Sequence, residues 1–185
     1  TDLKSQREFM DIKFQNKVRL AKYIKEQIKS GVMDKNIVIV SPDLGSVTRV
    51  RSLSNMLDCP IAIIDKRRPK PNVSEVMNII GDIEGKKVIL VDDMIDTAGT
   101  LCNAAQAVID NGALEVYACA THAVLSGPAT ERIKNSVIKE LILLDTVPVP
   151  EENMLDKYTV LPVAPVFAEA IERIFADKPV SPLFT

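Results

Sequence analysis

The chain has 185 residues, 46% of them hydrophobic, enough to build a sizeable buried core and too many for a disordered chain. Charged residues make up 26% and the formal net charge is -2, so no excess positive field exists to hold nucleic acid or an anionic membrane surface, and an anionic ligand needs a local basic site. The apolar runs break after a few residues, far short of the roughly 20 that cross a bilayer, and the first residues do not read as a secretion signal.

Val18, Ala21, Ile24 and Ile28 recur at helical spacing, and Gly31 marks the end of that helix. Asn36 to Val40 (NIVIV) reads as a short buried strand stopped by Ser41-Pro42. A helix is expected over Val47 to Leu57, then a strand over Ile61 to Ile64. A polar loop from Asp65 to Ser74 (DKRRPKPNVS) follows, in which two prolines forbid regular structure. Glu75 to Ile80 reads as a strand too close in sequence for a helical crossover, which implies a reversal of chain direction.

The series continues with a strand over Val88 to Val91, a helix from about Thr100 to Asn111 capped by Gly112, and a strand over Leu114 to Ala120. A helix over Gly127 to Asn135, a strand over Lys139 to Leu144 and a last helix over Ala164 to Phe175 complete it. Buried aliphatic strands alternating with helices predict an α/β fold, a mostly parallel central sheet with helices on both faces. No repeat, low-complexity tract or Gly/Ser linker divides the sequence, so residues 1–185 are expected to form a single domain. Cys59, Cys102 and Cys119 fall singly, without metal-ligand or disulfide spacing, and are expected to be reduced, mostly buried and cytoplasmic. The chain opens on Thr1 rather than Met, as a processed chain or a piece of a longer protein does.

The segment VILVDDMIDTAGT, residues 88–100, concentrates the chemistry. Its apolar start is a central strand, and the rest lies at the carboxyl end, where ligands of such sheets gather. Thr97, Ala98, Gly99 and Thr100 lead into a helix, so backbone N–H groups and two hydroxyls converge on the positive end of its dipole and form a phosphate cradle. A Walker A ending is missing, which speaks against the usual γ-phosphate chemistry. Asp92 and Asp93 would repel a phosphate unless they faced another part of the same ligand. Ionised carboxylates are acceptors only, so the hydroxyls of a sugar attached to that phosphate fit them, and they could also help order a divalent ion. The residues alone leave a third possibility open, an N-capping Asp96 with two solvated acids at a strand end.

VILVDDMIDTAGT resembles the phosphoribosyl pyrophosphate (PRPP) binding motif of type I phosphoribosyltransferases, and more closely that of the ribose-phosphate pyrophosphokinases. SPDLGSVTRVRSL at 41–53, IAIIDKRRPKPNVSEVMNIIGDIEGKK at 61–87, YACATHAVLSGPA at 117–129 and the terminal PVSPLFT also look like the C-terminal half of that family. REFMDI at 7–12 is similar to the segment that joins the family's two halves, so residues 1–15 are expected to be a lead-in, with the N-terminal half absent.

The resemblance implies a type I phosphoribosyltransferase-like fold and Mg2+-dependent transfer of pyrophosphate from ATP to ribose 5-phosphate, giving PRPP and AMP for nucleotide biosynthesis. It implies that Asp96, Thr97, Ala98, Gly99 and Thr100 hold the 5-phosphate and that Asp92 and Asp93 contact the ribose hydroxyls. Lys66 and Arg68 would be the catalytic pair on a lid hinged by the flanking prolines, with Arg67 and Lys70 beside them. Asp43, Gly45 and Ser46 match the pyrophosphate loop, Asp43 as the metal ligand. The family shows two glycines where this chain has Gly45-Ser46, and a Ser fits a positive φ poorly, so looser pyrophosphate packing is expected. The only histidine, His122, lacks a neighbouring nucleophile or metal-ligand spacing and reads as a structural or loop-positioning residue, while Thr121, Ser126 and Gly127 could shape a nucleotide or effector pocket at a subunit contact.

The resemblance also implies a homo-oligomer, or assembly with a full-length homologous subunit, and an isolated chain that is weak or inactive. Two alternatives stay open at this point: a regulatory paralogue that binds ribose phosphates without turnover, and a phosphoribosyltransferase that consumes PRPP.

Overall fold

A computed structural model describes residues 12–33, 35–67 and 76–184. In chain order the elements are α1 (Ile12–Lys29), β1 (Ile37–Ser41), α2 (Val47–Leu57), β2 (Ile61–Arg67), β3 (Val76–Ile80) and β4 (Lys87–Ile95). They continue with α3 (Gly99–Asp110), β5 (Glu115–Ala123), α4 (Ala129–Lys134), β6 (Ile138–Leu144), β7 (Tyr158–Leu161) and α5 (Ala164–Phe175). Short 3-10 turns cover Glu151–Asn153 and Ser181–Phe184.

The strands form one sheet of seven in the order β3-β2-β1-β4-β5-β6-β7, parallel throughout except for the antiparallel β2–β3 pair. The expected α/β class, the parallel sheet and the reversal before β3 are therefore present. Strand alternation divides the core in two. Val38, Val40, Val88 and Leu90 face α3 and α4, packing on Leu101, Ala104, Val108 and Ile133. Ile37, Ile39, Ile89 and Val91 face α1 and α2, packing on Leu20, Ile24, Val50 and Leu53. Each such side chain taken fully out of water stabilises the fold by roughly 1.5–3 kcal/mol before entropy is counted, so helices cover both faces because both faces are apolar.

Three elements differ from the sequence expectation. β4 runs on to Ile95, because Asp92 to Ile95 keep pairing with β5 from Ala120 to Ala123, and Asp92 and Asp93 therefore belong to the strand itself. β2 runs on to Arg67 because Asp65, Lys66 and Arg67 pair with Asn78, Met77 and Val76, which places the start of the expected polar loop in a hairpin. β7, paired with β6 from Tyr158 to Leu161, has no counterpart in the predicted series. Among the cysteines only Cys119 is buried, Cys59 and Cys102 being half-buried, and all three are free. The expected lead-in falls mostly outside the described residues, and its last positions, 12–15, already belong to α1.

Candidate functional site

Parallel strands end on the same side, so the segments that follow β1, β2, β4 and β5 meet along one edge of the sheet. Strand order turns there: the chain leaves β1 toward β2 on one side and returns to β4 on the other. The crevice at such a switch is where open α/β sheets place ligands. The segment after β1 carries Asp43, and the end of β4 carries Asp92 and Asp93 on the strand next to it.

The turn after β1 is closed from within. Ser41 Oγ donates to the Asp43 carbonyl at 2.6 Å, and the Ser46 amide donates to Asp43 Oδ1 at 2.8 Å. Ser46 has φ -88°, and Gly45 is not among the positive-φ glycines, so this turn does not need a second glycine. The expected penalty for Gly45-Ser46 is thus absent, because the backbone here is ordinary right-handed turn.

At the end of β4 the acids hold one another and the backbone. The Asp93 amide donates to Asp92 Oδ1 at 2.8 Å, and the Met94 amide to Asp93 Oδ1 at 3.0 Å. Arg49, on the first turn of α2, reaches across with Nη2 2.7 Å from Asp93 Oδ2, Nη1 3.5 Å from Asp92 Oδ1, and Nη1 donating to Ser46 Oγ at 3.0 Å. Burial pushes the Asp92 carboxyl up to about 6, helped by the charges of Asp93 and Asp43. Burial also opposes ionisation of Asp93, but the Arg49 charge and the hydrogen bonds outweigh it and hold that carboxyl below its ordinary value. The pair is thus asymmetric, one acid charged and one poised. Arg49 is absent from the sequence-based site; its signal was its place three residues after Ser46, one helical turn from the loop.

Beyond β4 the chain enters α3 through Ala98, which has φ 59° and ψ 2°, a left-handed conformation rare for a residue with a Cβ. Strain of this kind clusters at ligand clamps. Two groups from the segment after β5 grip the loop. The Ser126 hydroxyl donates to Asp96 Oδ1 and its amide donates to the Asp96 carbonyl at 3.0 Å. Arg132 Nη1 donates to the Thr97 carbonyl at 3.0 Å. Neither Ser126 in this role nor Arg132 was anticipated, since nothing local in the sequence ties residues 30 and 35 positions apart.

His122 is paired rather than poised. The Thr146 hydroxyl donates its one proton to the Thr121 carbonyl at 2.8 Å, so His122 Nδ1, 2.9 Å from Thr146 Oγ1, carries a hydrogen and donates it. Lys17, Arg49, Asp92, Asp93, Thr121 and His122 line a small pocket behind the acids. Lys66 and Arg67 have their backbone at the carboxyl end of β2, on the same edge. Arg68 and Lys70, with the rest of the expected lid to Ser74, lie outside the described residues. Among the described residues no group of three or more His, Cys, Asp or Glu could hold a metal ion. The single carboxylate of Asp43, one oxygen of which accepts the Ser46 amide, fits Mg2+, which keeps several waters and relies on one or two carboxylates and substrate phosphates.

The sequence pattern of the phosphoribosyl synthetase-associated domain matches residues 66–185. The chain belongs to this family. It is homologous to the ribose-phosphate pyrophosphokinases over their C-terminal half, with 61% identity over 166 residues to that of Caldanaerobacter subterraneus, covering 90% of this chain and 51% of the relative. The enzyme of Clostridium acetobutylicum is 58% identical over 165 residues, with 89% and 51% covered. The crystal structure of phosphoribosylpyrophosphate synthetase from Mycobacterium smegmatis superposes with a TM-score of 0.76 at 36% identity, over 85% of this chain and 50% of that one. The chain thus spans about half the length of the relatives it matches.

Proposed function

We propose that this chain supplies the ribose 5-phosphate half of a ribose-phosphate diphosphokinase site, acting in nucleotide biosynthesis in the cytoplasm. The observation that carries this reading is the end of β4: a phosphate-type loop at the N-terminus of α3 stands directly after a carboxylate pair whose charges are split by Arg49. In this reading Asp96, Thr97, Ala98, Gly99 and Thr100 hold the 5-phosphate by backbone N–H groups and hydroxyls. Asp92 and Asp93 accept from the vicinal ribose hydroxyls. Asp43, Gly45 and Ser46 face the pyrophosphoryl group between ATP and the 1-hydroxyl, and Lys66 and Arg68 close over it to stabilise charge as it moves. Mg2+, held by Asp43 and substrate oxygens, supplies neutralisation of the pyrophosphate charge. The products are PRPP and AMP.

The relatives are about twice as long, so the 185-residue chain by itself would lack what their other half supplies to the site, whether that half stands in the same protein, in a homo-oligomer or in a full-length subunit.

Calorimetry with ribose 5-phosphate tests the proposal. Binding to the 185-residue chain should weaken at least about tenfold, roughly 1.4 kcal/mol, in Asp96→Asn and in Thr97→Ala, which disturb the cradle without emptying the core. Equal affinity in all three would remove this loop from the site. Turnover of ATP and ribose 5-phosphate by the chain alone at the rate of a full-length relative would overturn the claim that a second half is needed.

A further inference from the structure

We propose that Arg132 is a positioning residue that holds the Thr97–Ala98 peptide turned toward α4, so that the Ala98 N–H points to the opposite side, into the phosphate cradle. The proposal rests on the reading of residues 96–100 as a ribose-phosphate loop. In a planar trans peptide the C=O and N–H point in opposite directions. Arg132 Nη1 takes the Thr97 carbonyl at 3.0 Å, and the Ala98 amide must therefore face away from α4. That orientation needs a φ of 59° at Ala98, which a side-chain-bearing residue resists. Turning the same peptide over would carry Ala98 back to an ordinary negative φ and bring a carbonyl, rather than an amide, to the phosphate. The guanidinium hydrogen bond opposes that turn.

The arm that delivers Arg132 is fixed in three ways. Ala129 and Ile133 of α4 are fully buried against the sheet. Lys157 Nζ bonds the carbonyls of Ile133 at 3.0 Å and of Lys134 and Ser136 at 3.3 Å, closing the end of α4. Ser126 ties the preceding residue of the loop, Asp96, to the start of the same segment. Gly99 completes the fit, since a Cβ there would come within 3.3 Å of Arg132 Nη1. The glycine leaves room for the guanidinium as well as for a ligand.

A charge effect on the phosphate is the competing explanation, and a double-mutant cycle separates the two. Ribose 5-phosphate affinity is measured for the chain, for Arg132→Ala, for Ala98→Gly and for the double variant. Under the positioning role, Arg132→Ala costs at least about tenfold in the Ala98 background and no more than about threefold with Ala98→Gly, because glycine adopts the left-handed conformation freely. The same loss in both backgrounds would show that the guanidinium acts by charge and would overturn the proposal. A second readout needs no ligand. In the free Arg132→Ala chain, Ala98 should lose the strong amide-to-Hα NOE within the residue that marks a positive φ, and its retention overturns the proposal. If the unsubstituted chain fails to bind ribose 5-phosphate, the functional reading falls while the NOE still decides the role of Arg132.

Discussion

With its guanidinium nearer to Asp93 than to Asp92, Arg49 compensates the first acid and leaves the second to bear the cost of burial. Asp92 is accordingly raised from 3.8 to about 6. Between those values the folded chain binds a proton that the unfolded chain releases, so stability falls as pH rises through that window, and above it the full penalty remains. Asp92→Asn removes the penalty. Discounted for solvent screening of a partly exposed group, it should stabilise the ligand-free chain by about 1–2 kcal/mol at pH 7.5 and by nearly nothing at pH 4. Urea unfolding at the two pH values checks this, and equal effects at both would mean that Asp92 is ionised throughout. The residue pays this cost at the place where paired hydroxyls of a sugar would relieve it. The carboxylates themselves were legible in the sequence because acid residues before a phosphate-type loop need an explanation. Arg49 was not, since its contact to Asp93 joins positions 44 residues apart.

At the scale of elements, strands whose apolar alternation carries them were legible and strands held by their neighbours were not. β1 and α2 fall where periodicity places them, because local pattern and burial agree. β2 continues through Asp65, Lys66 and Arg67 only because β3 lies alongside to pair with them. β7 is four residues at the sheet edge, too short to show a period, and exists through its ladder to β6. α4 was legible as a helix within Gly127 to Asn135, yet it too is held by its neighbours: at six residues it is too short to persist alone, and Lys157 takes the carbonyls its end leaves open. Lys157→Met keeps the stem and removes the charged donor, and should cost about 1–3 kcal/mol. Arg173→Ala, which breaks the exposed Arg173–Glu169 pair, should cost about 0.5 kcal/mol or less. Chemical denaturation of both decides it: similar losses would mean that water caps α4 as well as the lysine does.

At the scale of the whole molecule, the α/β architecture could be read from alternating elements because both sheet faces are apolar, and the site edge followed from strand direction. The grip of the segment after β5 on the loop after β4 could not, because it depends on which strands become neighbours. The resulting edge is divided in charge: Asp43, Asp92 and Asp93 stand in one crevice, and the backbone cradle of the loop lies beyond them. In the proposed reading ATP or PRPP would bring a pyrophosphate beside those acids, with Arg49 already committed to two of them, so a divalent ion would have to enter with it. In the same reading ribose 5-phosphate would place its phosphate in the cradle and its hydroxyls toward the acids, and would need no ion for either contact. Chelating Mg2+ should therefore weaken PRPP binding at least about tenfold, or roughly 1.4 kcal/mol, and leave ribose 5-phosphate binding nearly unchanged. Calorimetry with and without chelator measures both. Equal losses would mean that the ion organises the sugar site itself, and direct contact of Asp92 and Asp93 with the ribose hydroxyls would have to be abandoned.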